Sequence, residues 1–565
     1  MNRLSPPTND RRKADTRPAE PRGKAPTSPP ARLYRGNRAV ALALFVALLG
    51  IYHIDGDFQM SNDAKPNMYL AMELLKEGRL TFTPERMPFM FVWRLETPDG
   101  PVMYQFRRWE ETLQGRPPAE LRREGLLSEP NPRYYIVPSK RMAPETGKTL
   151  YVNTFGPGAA LAALPVYAVL DLLKGNLGDD LEAMSQAGKF VAAAMVAASA
   201  AMVFLTVARF TSTIGALLAA VAYGLGTCVW SISSQTLWQH GPNEFFLAMG
   251  TLFLVRLGPA GRWRDAVWCG LAYSAAVVCR PTSAIVVAAA GAYLLISARR
   301  LVLPYVLAAL PLGLALGAYN AYYLGSPLIS GQGQAGKVVA EQKTGSPAVW
   351  QTPLAEGAAG LLFSPSRGLL VFSPWVAFAF AGAVAAWRRR GGFTPLLVLT
   401  VAVLGLMLIA FKWFDWWGGW CFGYRPIVDT MPLLAVMLIP VIEWIRRRKA
   451  ALAAFLILLA WSVFVQVLGV WAYNMETWNA PLLGFEVYTS PTADPEVVAN
   501  IPQIDRIAAT RPVGHVRTLR ADIDMPEFRH RLWSLKDNQI GHLIADFGES
   551  RSVKRQERQD WLQMP

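Results

Sequence analysis

The chain runs to 565 residues, 52% of them apolar and only 17% charged. A soluble domain carries about 25% charged residues. Apolar runs recur from residue 38 to residue 470, so a soluble enzyme, a disordered protein and a disulfide scaffold are all excluded.

The formal net charge is +15, and its placement says more than its size. Residues 1–38 hold ten Lys/Arg against three acids, a net of +7, with repeated prolines from Pro6 to Pro30. Such a segment cannot bury a core, so residues 1–37 are expected to be a disordered basic tail. A nucleic-acid reading is possible for so basic a stretch. A cytoplasmic tail ahead of the first span explains it more simply. The tail is too long for a signal peptide, so the first span should stay as an anchor.

Twelve apolar segments approach the roughly 20 residues that a crossing helix needs. They are 38–54, 155–173, 188–209, 213–231, 241–257, 265–279, 283–298, 301–323, 368–387, 394–411, 426–445 and 450–470. Basic clusters lie at Arg256/Arg262/Arg264, Arg299/Arg300, Arg388–Arg390 and Arg446–Lys449. If all twelve segments cross, every cluster falls outside. If one early segment does not, every cluster falls inside, as the positive-inside rule requires. Segment 155–173 is the one to remove. It opens with Gly156-Pro157-Gly158, contains Pro165 and carries Asp171. It reads as a re-entrant or interfacial helix. The expectation is an all-α polytopic membrane protein of about eleven spans, multi-pass in a bacterial cytoplasmic (inner) membrane. The N-terminus is then cytoplasmic and the C-terminus extracytoplasmic.

That topology places a large first loop (55–187), a medium loop (324–367), a Trp-rich loop (412–425) and a soluble tail (471–565) outside. The first loop opens with Asp55, Asp57 and Asp63, followed by an amphipathic helical pattern from Tyr69 to Gly78. Asp63 sits where a helix cap or a simple solvated turn would. Stretch 231–244 is polar and nearly uncharged, with Trp238 suited to an interface. His240 and Glu244 are spaced i, i+4. They read either as a hydrogen-bonded pair or, with a first-loop Asp, as ligands for a divalent metal ion. Arg280, Arg367 and Arg425 lie at the outer ends of three spans, against the positive-inside trend. Snorkelling explains one such arginine. Three on different helices point to an anion at headgroup depth, such as a lipid phosphate. Aromatic and glycine residues at 413–424 form either an interfacial belt or a platform for a sugar or prenyl chain. Cys228, Cys269, Cys279 and Cys421 show no metal-ligand spacing and read as small buried hydrophobes.

The order of one anchor span, an Asp-bearing outer loop, a Gly/Pro-rich juxtamembrane helix and a bundle with polar outer junctions resembles the GT-C superfamily of integral-membrane glycosyltransferases. Protein O-mannosyltransferases and aminoarabinose transferases are relatives, and the likeness extends over residues 38–470. The stretch from Asp63 through Tyr69-Leu-Ala-Met-Glu-Leu-Leu-Lys-Glu-Gly78 is similar to the family's first-loop motif. Leu237–Pro242, Phe363–Leu369 and Trp416–Arg425 look like motifs of uncharacterised bacterial members. The resemblance implies a polyprenyl-phosphate-linked sugar as donor and a glycan, lipid or protein as acceptor, without nucleic acid. It implies a catalytic role for Asp63, with Asp57 as second choice because Lys65-Pro66 lengthens the motif. Arg280, Arg367 and Arg425 would bind the donor phosphate. Tyr69, Trp238, Trp417 and Tyr424 would line the substrate cavity, and His240 and Glu244 would match the metal positions of some members. A transporter of lipid-linked glycans or solutes and a non-catalytic envelope-assembly scaffold are the competing readings. The chain shows neither the internal repeats of the first nor a use for three such arginines in the second.

Overall fold

The computed structural model describes residues 31–97, 100–104, 118–125, 127, 131–144, 147–175, 177–388, 395–488 and 515–563. The basic stretch 1–30 and residues 389–394, with part of the Arg388–Arg390 cluster, lie outside the described residues.

Helices dominate. The anchor is α1 (Ala31–Tyr52), and the first loop then begins with α2 (Lys65–Glu77), whose Pro66 sits in the first turn, where a missing N–H costs nothing. Two small antiparallel sheets follow. In one, β1 (Phe91–Thr97) lies between β2 (Gly100–Tyr104) and, beyond the short α3 (Pro118–Arg123), β3 (Asn131–Pro132). In the other, β4 (Ile136–Met142) pairs with β5 (Thr149–Asn153), Ile136 facing Asn153. Among the described residues, strands interrupt the expected all-helical chain only in the first loop, where these lie, and in the C-terminal tail. They share a core with α2 and α4 (Gly158–Lys174) built on Met68, Phe82, Phe91, Tyr135, Ile136 and Tyr167. Along α4 the opposite face leaves Leu172 and Leu173 open, 85% and 76% exposed.

The bundle continues with α5 (Leu181–Val207) and α6 (Thr213–Leu225), capped by the Asp180 and Ser212 side chains, which accept from Ala183 and Gly215 N–H groups. A π-turn at Val229–Ser233 leads into α7 (His240–Leu254), α8 (Trp263–Cys279), α9 (Ala284–Ser297) and α10 (Val302–Leu324). Neighbours in this run pack pairwise, α5 on α7, α7 on α8 and α8 on α10. A Cβ on Gly270 of α8 would stand 2.4 Å from the Tyr305 carbonyl oxygen, so a glycine is what lets α8 and α10 close up. Then come α11 (Gly331–Thr344), α12 (Leu354–Phe363), α13 (Leu369–Phe372), α14 (Val376–Arg388) and α15 (Pro395–Lys412).

Segment 426–445 is a broken helix: a 3-10 stretch at Arg425–Thr430, then α16 (Met431–Val436) and α17 (Ile442–Arg447). Ile427, Val428, Leu433 and Met437 are all 1% exposed or less. Irregular backbone is tolerated at such a place because protein surrounds it.

The last long helix is α18 (Lys449–Trp471). Beyond it, β6 (Leu482–Tyr488) pairs with β7 (His515–Arg520), and α19 (Gln539–Ala545) and α20 (Phe547–Gln563) follow. The tail folds back on the bundle. Ile523, Leu532, Ile540 and Leu543 join the main core, each buried side chain contributing about 1.5–3 kcal/mol. Among the described residues, four helices are long and apolar enough to cross a membrane: Leu181–Val207, Arg299–Leu324, Pro395–Lys412 and Lys449–Trp471. Five shorter apolar helices accompany them among the described residues: Gly36–Tyr52, Thr213–Leu225, Pro281–Ser297, Leu354–Phe363 and Val376–Arg388. The molecule is a mostly helical membrane protein with few strands.

Candidate active site

A cavity of about 520 Å³ opens where the first loop, the start of α7, the α8–α9 turn, α11 and the Trp-rich loop meet. That volume suits a substrate-sized ligand. One wall is apolar, with Leu406, Ile409, Ala410 and Trp413 from α15 and the loop after it. The polar part carries Asp63, His240, Arg280, Lys337, Arg425 and Asp429.

Asp63 stands just before α2. Its Oδ2 accepts from Arg425 Nη1 at 2.9 Å, and its Oδ1 accepts from the Tyr134 hydroxyl at 2.5 Å. Thr154 fixes the Tyr134 backbone by donating to its carbonyl oxygen at 2.8 Å. Arg425 is held from two further sides. Its Nη2 donates to the Gly418 carbonyl at 2.8 Å, and the guanidinium lies 4.8 Å from the Trp238 ring centroid.

Asp429 organises a second cluster. Arg280 Nη1 lies 2.5 Å from its Oδ2 and His240 Nδ1 lies 3.1 Å from the same atom. Asn243 donates to Oδ1 at 2.8 Å, and Ser283 in turn donates to the Asn243 carbonyl oxygen at 2.8 Å. Asp429 is 5% exposed, and three polar neighbours offset the cost of burying its carboxylate. Each cavity arginine is thus neutralised by one carboxylate.

The expected site residues divide sharply. Asp63, Trp238, His240, Arg280 and Arg425 line one cavity. Arg367 does not. It is 0% exposed and donates to the carbonyls of Trp417 (3.0 Å), Ser366 (2.9 Å) and Gly419 (3.2 Å) and to Asn479 Oδ1 (2.9 Å). It clasps the Trp-rich loop, with four of its five N–H donors spent inside the protein and none of the residue lining the cavity. Trp417 donates to Asp524 at 2.9 Å, and Tyr424 meets Ser373 Oγ at 2.6 Å. Both are buried below the cavity wall, because their polar atoms have partners inside the protein. Tyr69 packs against Phe89 within the first-loop core, the ring centroids 4.7 Å apart and the planes tilted by 48°. Asp57 lies with Asp55 in an ion cluster, 3.3 Å from Arg558 Nε and 3.9 Å from Lys554 Nζ, away from Asp63.

His240 and Glu244 do not converge. The Glu244 carboxylate is 0% exposed and accepts from Ser233 at 2.7 Å, whereas the His240 ring turns to Asp429. Among the described residues no group of three or more His, Cys, Asp or Glu could hold a metal ion. The one carboxylate beside His240 is already taken by a guanidinium, so the residues present do not fit a resident divalent cation.

Tyr134 and Asp429 had escaped notice. Asp429 carried a usable signal, an acid one turn past Arg425 in an otherwise apolar run. Tyr134 carried none, since only the fold of the first loop brings it to Asp63.

No curated protein sequence matches the chain. A family comparison does find a match. Membrane glycosyltransferases of that family use lipid-linked sugar donors, and the matched stretch holds α5 to α10, including His240, Asn243 and Arg280. Residues 181–323 match the family described as dolichyl-phosphate-mannose-protein mannosyltransferase, so this part of the chain is similar to a glycosyltransferase domain of the GT-C type.

Proposed function

We propose that the protein moves a sugar from a polyprenyl-phosphate donor to an envelope acceptor on the outer face of a bacterial cytoplasmic membrane. The observation that carries this reading is the meeting of Asp63, Arg280 and Arg425 in one cavity with an apolar wall. The prenyl chain runs along Leu406 and Ile409. The phosphate lies between the two arginines, and the sugar points to Asp63.

Asp63 receives the proton of an acceptor hydroxyl, or orients that hydroxyl. The acceptor oxygen bonds to the anomeric carbon, and the bond from that carbon to the phosphate oxygen breaks. The departing phosphate takes the electron pair, and Arg280 and Arg425 stabilise its charge. The Asp63 carboxylate is engaged by the Arg425 guanidinium at 2.9 Å. An arriving phosphate competes for that guanidinium and frees the carboxylate, which ties base activation to donor binding.

Eleven crossings with α4 lying at the outer surface fit the exposed Leu172 and Leu173 and the inward basic clusters. The N-terminus is then cytoplasmic and the C-terminus extracytoplasmic. The test is transfer by purified protein supplied with polyprenyl-phosphate sugars, wild type against Asp63→Asn. Transfer that disappears while the variant keeps its melting temperature supports the reading. Retained transfer removes Asp63 from the mechanism.

A further inference from the structure

Among the described residues, one charged side chain that lines the cavity stands apart from the rest. Three carboxylates line the cavity, Asp63, Asp415 and Asp429. Each already has a cation: Arg425 at 2.9 Å, Lys343 at 2.9 Å and Arg280 at 2.5 Å. Lys337 lines the same cavity, and among the described residues its ammonium has no ion-pair or hydrogen-bond partner.

The Lys337 side chain is exposed, but its helix is fixed at three points. At the start of α11, a Cβ on Gly331 would stand 2.7 Å from the Thr154 carbonyl oxygen. At its middle, a Cβ on Gly336 would stand 2.8 Å from the Trp413 ring. The backbone of α11 therefore lies directly on the end of β5 and on the Trp-rich loop. At its far end, Lys343 bridges Asp415 and Asp524, each at 2.9 Å. Burial pulls the Lys343 ammonium down, but the two carboxylates outweigh burial and raise its pKa above the ordinary lysine value. Gly333, Gln334 and Lys337 share the face of α11 that lines the cavity.

The two lysines of α11 thus have opposite situations. Lys343 is spent on holding the helix. Lys337 is held by that helix at the cavity with its charge unspent. Engaging Arg280 or Arg425 means competing with a carboxylate for a guanidinium. Engaging Lys337 means displacing only water.

We infer that Lys337 is a donor-binding residue whose ammonium takes the phosphate of the lipid-linked donor before either cavity arginine is drawn from its carboxylate. The inference rests on the lipid-phosphate reading above. It assigns donor capture to α11 and leaves charge stabilisation during transfer to the arginines.

The experiment is native mass spectrometry of the full-length protein in detergent with undecaprenyl phosphate and, separately, undecaprenol. Wild type, Lys337→Gln and Lys337→Arg are compared. The expected result is a phosphate affinity about tenfold or more weaker in Lys337→Gln, the scale of one lost charge-assisted hydrogen bond. Lys337→Arg should stay close to wild type, and undecaprenol should bind all three alike. Equal phosphate affinity in Lys337→Gln and wild type overturns the role of Lys337 while leaving the donor reading intact. A wild type that does not prefer the phosphate to the alcohol overturns both. Turnover sharpens the distinction: Lys337→Gln should raise KM for the donor with little change in kcat.

Discussion

Arg367 and Arg425 occupy equivalent places in the sequence, each at one end of an apolar segment and beside a glycine or proline. In the fold they have opposite fates. Arg367 gives its donors to three backbone carbonyls and Asn479, and its guanidinium lies 5.1 Å from the Trp478 ring centroid. Arg425 gives one donor to Gly418 and another to a carboxylate in an open cavity. A guanidinium bonded to fixed carbonyls is cement. One bonded to a carboxylate beside empty space can exchange that partner for a phosphate. The lesson is that the partner's chemistry, and not the depth of the arginine, separates structure from function.

Exchanging the buried clasp should do the most damage. Arg367→Met leaves several buried carbonyls without donors, and the expected loss is on the order of 3 kcal/mol or more. Little monodisperse protein should survive in detergent. Arg367→Lys should fail too, because an ammonium cannot reproduce the fork. Well-folded protein from either variant would erase the contrast. Asp63→Asn should do the reverse, keeping the melting temperature while transfer falls by about a hundredfold or more. The amide oxygen still accepts from Tyr134 or Arg425, so folding has no reason to suffer.

Arg280 sharpens the comparison because it has a share in both roles. Arg280→Ala should weaken donor binding and also leave the buried Asp429 carboxylate without its cation, a cost of about 3 kcal/mol. Adding Asp429→Asn should restore the melting temperature but not the donor affinity. If both recover together, Arg280 acts only through Asp429.

The smallest effect lies far from the cavity, on α20. Burial first, and then the neighbouring Glu476 carboxylate, push Glu557 up to about 8. Lys554 works weakly in the opposite sense. A carboxyl whose pKa is raised by folding holds its proton in the folded state between the ordinary carboxylate range and pH 8, so its stability contribution is full at low pH and lost as pH rises through 8. Melting temperature should therefore fall from pH 5 to pH 8 in wild type by roughly a few degrees. Glu557→Gln should flatten that slope, since the amide keeps the acceptor for the Met475 N–H at 3.0 Å. A parallel slope in the variant would assign the pH dependence to another group.

Much of the fold was legible because long apolar runs leave few alternatives. Each of the twelve expected segments contains helix, and breaks within them fall at Gly226, near Pro374 and near Pro440. The site was legible only in part. Asp63, Arg280 and Arg425 announced themselves as charges at the edge of apolar runs, a pattern that costs energy and so needs a reason. Trp417 and Tyr424 misled because an aromatic cluster looks the same whether it faces a ligand or a tail from the far end of the chain. Asp522 and Asp524 decide that question for Trp420 and Trp417, about a hundred residues downstream.

The same long reach affects how the molecule is made. Asp55 pairs with Lys189 at 2.6 Å, and α20 closes over them, with Lys554 4.0 Å from Asp55 and also bonded to the Val470 carbonyl at the end of α18. Those partners leave the ribosome almost a full chain length apart. At about 5–20 residues per second, the opening acids of the first loop wait on the order of a minute for α20. Membrane insertion must therefore finish before this corner of the protein can shut out water, and a stalled or clipped chain would carry its bundle in place but its ion cluster open.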